Sequence, residues 1–261
     1  MKMGYVFLFL FLFGCSSDEF VAENPYDPTN PDYIPPIVSI VSGLTDNQVI
    51  DSESITVSLQ GNESSMLYRT KLDSLPWSGW LTTETVLLDY LDEGNHHFYF
   101  QGKYLTDDTS DIYIIPFEVD AVSGPSIMTF PRRRFAEQGD TLNFQIQLEE
   151  VYDVSGVEFT LHYDPNLVNL ISIDQGDIFK NLGSVIYFED LVESDGVLTI
   201  NNAVWGGQLT GFNGTGYLID VSFVSIQNTS SEVILEEVTM RDSQNQNIIL
   251  NNQISGYIEI N

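Results

Sequence analysis

From residue 37 onward, apolar and polar positions alternate in short runs separated by Gly, Asn and Asp. Ile55, Val57 and Leu59 alternate with Thr56 and Ser58, and Phe98 and Phe100 alternate with Tyr99 and Gln101. A period of two filled by β-branched and aromatic residues predicts half-buried strands. After residue 124 the alternation is cleaner. Leu142, Phe144, Ile146 and Leu148 alternate with polar neighbours, as do Val157, Phe159, Leu161 and Tyr163, and then Tyr217, Ile219, Val221 and Phe223. No segment sustains the i, i+3, i+4, i+7 stripe of a helix. The pattern predicts an all-β chain.

The runs fall into two groups. Residues 36–121 match the size of a seven-strand sandwich. Ala121-Val-Ser-Gly-Pro125 reads as a short linker, and residues 125–261 hold roughly nine predicted strands, enough for a second β-sandwich of jelly-roll-like or immunoglobulin-like topology. The expected architecture is two β-sandwiches in tandem.

The N-terminus departs from this pattern. Lys2 precedes an apolar stretch, Tyr5–Phe13, that suits a signal-peptide core and is too short to span a membrane. It runs into Leu12-Phe13-Gly14-Cys15, which resembles a bacterial lipobox. That resemblance implies removal of residues 1–14 as a signal peptide and lipid attachment, diacylglyceryl and palmitate, at Cys15. Cys15 is the only cysteine of the chain, which excludes a disulfide framework. Residues 15–35 contain Pro25, Pro28, Pro31 and Pro35, and read as a flexible, extended tether. Ser16 stands where an aspartate would favour inner-membrane retention, so the expected location is the outer membrane or cell surface.

Composition narrows the function classes. Among 261 residues, 9 Lys+Arg face 38 Asp+Glu, a net charge of −29. Repulsion of that size excludes nucleic acid as a partner. Hydrophobic residues at 43% rule out a disordered acidic chain. No G-x-S-x-G, H-E-x-x-H or phosphate-cradling glycine loop occurs, so no enzyme activity and no cofactor is expected. Adjacent His96 and His97 should point to opposite faces of a strand and cannot readily share a metal. Asp107, Asp108 and Asp111, Asp174 and Asp177, and the run Asp242–Asn247 are rich in hard oxygen ligands but fail the calcium-loop pattern, and no metal is expected. Arg132-Arg133-Arg134, the only basic cluster, reads as surface side chains in salt bridges, with a phosphate or lipid headgroup as the functional alternative.

Two family resemblances add to this. Leu72-Asp73, Trp77-Ser-Gly-Trp80 and Leu91-Asp-Glu-Gly-Asn-His96 resemble signals of bacterial immunoglobulin-like or fibronectin-III-like modules, implying a spacer or adhesion role. Gly156-Val-Glu-Phe-Thr-Leu-His-Tyr-Asp-Pro165, Gly176-Asp177, Gly214-Thr-Gly216, Val238–Asp242 and Gly256–Ile260, in that order, resemble cohesin domains over Gly124–Asn261. The resemblance implies non-covalent capture of a dockerin-bearing protein through an outer sheet face. The chain holds no duplicated calcium loop of its own, so it would be the receptor half of such a pair.

On that face the strand Gly156–Pro165 turns Glu158, Thr160 and His162 outward. The family's acidic contact falls on Glu158, while Gly156 stands where the family has an Asn contact. Tyr187 falls on an interface aromatic. Trp205, in a Gly-rich stretch, reads as a stacking anchor or as a core residue. The main expectation is a monomeric, lipid-anchored scaffold or adhesion protein. The alternative is a surface carbohydrate-binding protein that uses its C-terminal sandwich.

Overall fold

The computed structural model describes residues 24–180, 182, 185–194, 196–205 and 210–261. Cys15, the signal segment and the first part of the tether lie outside the described residues.

Among the described residues the fold is all-β. The first unit contains β1 (Val38–Ser42), β2 (Gln48–Ile50), β3 (Ile55–Gly61), β4 (Leu67–Leu72), β5 (Thr85–Leu88), β6 (Gly94–Lys103) and β7 (Tyr113–Val119). They form two sheets, β1-β3-β5 and β2-β7-β6-β4. Between the sheets lies one apolar core, in which Val57, Leu59, Phe98, Phe100 and Phe117 are buried. These are the inward positions of the period-two pattern, each contributing about 1.5–3 kcal/mol by burial.

The second unit contains β8 (Ser126–Phe130), β9 (Arg133–Ala136), β10 (Thr141–His162), β11 (Val168–Gln175), β12 (Val185–Ser194), β13 (Val197–Trp205), β14 (Phe212–Ser225), β15 (Ser230–Asp242), β16 (Asn247–Ile248), β17 (Asn252–Ile254) and β18 (Gly256–Ile260). Its core is separate and is centred on Phe144, Phe159, Val221 and Phe223. The sequence pattern predicts separate strands at 142–148 and 157–163; the structure joins them in one 22-residue strand, β10. Its first half pairs with β14 and β8, and its second half with β13 and β15. Between the halves the register slips repeatedly, and Glu150 and Asp153 take positive φ of 48° and 55°. Such bulges bend a strand without ending it, so β10 carries the chain from one layer of the sandwich to the other.

Residues 24–35 differ from the expected free spacer. Asn24, Asp27 and Asn30 each accept, through a side-chain oxygen, the backbone N–H two residues on. This Asx chemistry folds the segment into consecutive turns. Tyr26 then packs edge-on against Tyr104 at 5.0 Å, and the Tyr104 hydroxyl donates to the Ile34 carbonyl at 2.9 Å.

The arginine cluster is also placed differently from the surface expectation. Arg132 is 2% exposed and donates from Nη1 to Glu53 at 2.7 Å, while its backbone N–H donates to Asp92 at 2.6 Å. Arg133 binds Asp89 at 2.8 Å and also Glu259, and its guanidinium lies over Tyr90, Phe135 and Tyr257. Tyr90 and Tyr257 stack at 5.1 Å. Glu53, Asp89, Tyr90 and Asp92 belong to the first unit and the arginines and Tyr257 to the second, so the cluster is the junction between them. Val122 in the linker is likewise buried.

Candidate functional site

The outer face of one layer of the second sandwich is formed by β12, β13, the second half of β10 and β15, side by side. Strand alternation decides what it presents. Val157, Phe159 and Leu161 enter the core, leaving Gly156, Glu158, Thr160 and His162 on the outside. In β13 the core takes Leu198, Ile200 and Val204, so Thr199, Asn201, Ala203 and Trp205 share the outer face. Register brings the two sets together: Glu158 faces Asn201 on one side and Thr239 on the other.

Of the residues singled out from sequence, Glu158 is exposed at the centre of this face. His162 is half-buried, its Nε2 3.6 Å from Glu236. Thr160 departs from expectation. It is 6% exposed, with its hydroxyl 3.4 Å from Thr199 and 3.3 Å from Glu237, to which it donates. The register slips between Glu158 and Thr160 against β15, and Glu237 adopts a φ of 51°. That bulge folds the Glu237 carboxylate over the hydroxyl, so Thr160 supports the face rather than presenting itself. Trp205 resolves to the exposed reading, with 71% of its surface open at the end of β13. The backbone of Tyr187, on β12, pairs with Ala203 of β13, but the Tyr187 side chain lies outside the described residues.

The sequence reading missed Asn201, Thr239 and Leu191. Asn201 follows directly from the alternation of Leu198 and Ile200 in β13. Leu191 is an exposed apolar residue opposite Thr199 at the β12 edge. Together they give a sheet face with polar groups at its centre and apolar groups at two margins. That composition suits association with another surface more than catalysis, which needs converging groups in a water-poor cleft. Among the described residues no group of three or more His, Cys, Asp or Glu is arranged to hold a metal ion.

The loop acids are engaged in local structure. Asp177 accepts from the Tyr217 hydroxyl at 2.5 Å, and this hydrogen bond holds its carboxyl below the usual range. Asp242 closes a turn by accepting the N–H groups of Gln244 and Gln246. Asp107 pairs with Lys103. On the first unit, Trp77 and Trp80 do not enter the core. They sandwich the Arg69 guanidinium at 4.6 and 4.7 Å on the outside of the β4–β6 sheet. His96 and His97 do point to opposite faces, His96 buried and His97 exposed.

Comparison with known proteins bears on the second sandwich. Residues 133–260 match the family model of the cohesin domain, just under half of the chain. No curated protein matches the chain. Similar solved structures include a non-cellulosomal cohesin from the archaeon Archaeoglobus fulgidus, at 20% identity and TM-score 0.44, covering 52% of this chain and 90% of that one. A second is the sixth cohesin of scaffoldin B from Acetivibrio cellulolyticus, in complex with a Cel5 dockerin, at 22% identity and TM-score 0.46, covering 53% and 100%. A third is a type I cohesin–dockerin complex from Clostridium thermocellum, at 19% identity and TM-score 0.45, covering 52% and 98%. Within the second sandwich, the stretch from β9 to β18 is the part of this all-β chain that is similar to the cohesin domain.

Proposed function

We propose that the chain is a surface receptor that captures a dockerin-bearing protein through the β12-β13-β10-β15 face. The observation that carries this reading is the open polar face around Glu158, lying inside the segment that matches the cohesin domain. Glu158 supplies an acidic contact, flanked by Asn201 and Thr239 as hydrogen-bonding neighbours, while Leu191 and Trp205 offer apolar area at the margins. In this reading Cys15 carries the lipid anchor at the outer membrane or cell surface, and the first unit is an immunoglobulin-like spacer. The protein itself performs no reaction. The dockerin complexes among the similar structures make a dockerin the partner to test first.

The test is a pull-down from lysate and secreted proteins of the source organism with the full chain as bait, in calcium and in chelator. A partner containing duplicated calcium loops, recovered only with calcium and lost with Glu158→Arg, is the expected result. Recovery of no such partner, or of one indifferent to Glu158→Arg, overturns the assignment. The exposed Trp205 supports a second reading, polysaccharide binding by the same sandwich. Retention on an insoluble polysaccharide that disappears in Trp205→Ala, without any protein partner, would decide for it.

A further inference from the structure

Gly156 lies inside β10, on the outer face of the second sandwich, and nothing in the fold calls for a glycine there. A glycine within a strand weakens it, and marks a bulge, a tight bend or a place where another molecule approaches closely. A bulge does precede this one, between the pairs Val154–Asp242 and Gly156–Arg241, but Gly156 does not take the positive φ that would demand glycine. Nor is the space closed. A Cβ on Gly156 would meet only the Ala203 Cβ, at an ordinary 3.6 Å. Among the described glycines of this unit, only Gly156 combines these two freedoms. Gly139, Gly196 and Gly214 have positive φ, a Cβ on Gly176 or Gly211 would strike backbone at 2.4 or 2.1 Å, and Gly216 and Gly256 are crowded at 3.1 Å. The third explanation, close approach by a partner, is left.

The missing side chain leaves a hollow in the face. Gly156 pairs with Ala203 of β13, so two small residues lie side by side. Trp205, the next outward position along β13 and 71% exposed, stands on one side of them. Glu158 and Asn201, the next outward pair in the other direction, stand on the opposite side. Arg241 of β15, exposed and paired with Gly156, closes one end, its Nη1 donating to the Asn245 carbonyl at 3.3 Å. Strand spacing gives a floor about 10 Å long from Ala203 to Arg241, and the rise per residue puts about 13 Å between Trp205 and Asn201. That is room for one large side chain. The surround is polarised, with a guanidinium at one end and the Glu158 carboxylate along one side. A peptide can match both charges around an apolar side chain, whereas a neutral glycan matches neither.

We propose that this hollow is the specificity pocket of the face: it admits one large apolar side chain of a protein partner, which turns an acidic residue toward Arg241 and a basic residue toward Glu158. The proposal rests on the receptor reading for the use of this face and adds the feature that the face selects. The inserted side chain packs against the Trp205 indole and covers the open floor at Gly156 and Ala203.

The probe is a phage-displayed library of random peptides selected on the full chain, followed by titration of the synthesised consensus peptide. The expected consensus holds a Leu, Met, Phe or Trp flanked by an acid and a base. Gly156→Trp fills the hollow and should weaken that peptide at least about tenfold, as exclusion of one large buried apolar side chain does. Gly156→Asn, a smaller plug, should fall between the parent and Gly156→Trp. Arg241→Glu should also weaken binding, and changing the peptide's acid to Lys should restore it. Thermal unfolding should show Gly156→Trp folded and Gly156→Ala at least as stable as the parent; a destabilised Gly156→Ala would give the glycine a structural reason and overturn the proposal. Peptides lost with Glu158→Arg but indifferent to folded Gly156→Trp overturn the pocket and leave the receptor reading standing. Selection of no peptide on this face overturns the pocket too, while the pull-down decides the receptor reading separately. Retention on an insoluble polysaccharide that Gly156→Trp abolishes would assign the hollow to a glycan and likewise overturn the proposal.

Discussion

Arg132 poses a sharp energetic question, because the junction buries a guanidinium whose carboxylate partner is largely in water. The side chain is 2% exposed, whereas the Glu53 side chain is 65% exposed, and the two meet at 2.7 Å. The Arg132 Nε is buried without a hydrogen-bond partner. An orphaned buried donor costs about 1–3 kcal/mol, comparable to the 1.5–3 kcal/mol of a hydrogen bond to a charged group. These contributions nearly cancel, and the stem's packing is left as the main stabilising part. Arg132→Met keeps most of that volume and removes both polar contributions, so it should lie within about 1 kcal/mol of the parent. Arg132→Ala empties the site and should cost about 2–4 kcal/mol, as large-to-small changes in packed regions do. Glu53→Ala strands the cation and should cost about 1–3 kcal/mol, a loss that vanishes in the Arg132→Met background. The assay is urea unfolding followed by tryptophan fluorescence in a Trp205→Phe background, which leaves Trp77 and Trp80 as reporters of the first unit. Equal destabilisation by Arg132→Met and Arg132→Ala would refute the reasoning, since the charge rather than the packed stem would then hold the junction.

Three further outcomes follow from local geometry. Burial opposes a charged His96, but Asp73 at 2.7 Å and the Asp92 carbonyl outweigh it and hold the imidazole pKa above its ordinary value of about 6.5. The pair's contribution is therefore complete below pH about 6.5 and is lost as pH rises through the folded pKa; unfolding followed from pH 5 to 9 should show this decline, and Asp73→Asn should flatten it. A Cβ on Gly211 would lie 2.1 Å from the Asp153 carbonyl carbon, so Gly211→Ala should destabilise the second sandwich more than Gly214→Ala, where positive φ is the only obstacle; thermal unfolding ranks the two. Arg69→Ala removes the cation held between two indoles, and should cost about 1–2 kcal/mol with a shift in tryptophan emission; an unchanged spectrum would show that the stack does not persist in solution.

Much of the fold is legible because burial imposes a period of two on any strand with one wet face. Val57 and Leu59, Phe98 and Phe100, and Phe144, Ile146 and Leu148 are all inward where the alternation puts them. The same rule turns Glu158 outward. It fails at β10, because residues 149–155 break the period of two, burying Val151 and Val154, while the backbone remains paired through successive bulges. A bulge is a tertiary compromise, and local sequence does not separate it from a strand end. Thr160 is lost for a related reason. The residue that covers it, Glu237, lies 77 positions away and reaches it only through the irregular register of β15.

The arginine cluster shows how placement by charge alone can mislead. Three adjacent cations in an acidic chain suggest solvent-facing salt bridges, because isolated charges are costly to bury. The partners that make burial possible here are Glu53, Asp89 and Asp92, 40 to 79 residues earlier in sequence. Only the approach of two sandwiches assembles them. Once assembled, each arginine does something different: Arg132 plugs the junction, Arg133 is clamped between carboxylates and rings, and Arg134 hydrogen-bonds a β10 carbonyl. A chain with nine positive charges has placed three at one joint. That joint orients the second sandwich relative to the first. If the Glu158 face receives a partner while the first unit is held at a membrane, the stiffness of this joint sets how the partner is presented. Loosening it with Arg132→Ala should then leave affinity for a free partner unchanged while widening the range of angles between the units, measurable as a longer-tailed distance distribution between spin labels placed on β3 and β14.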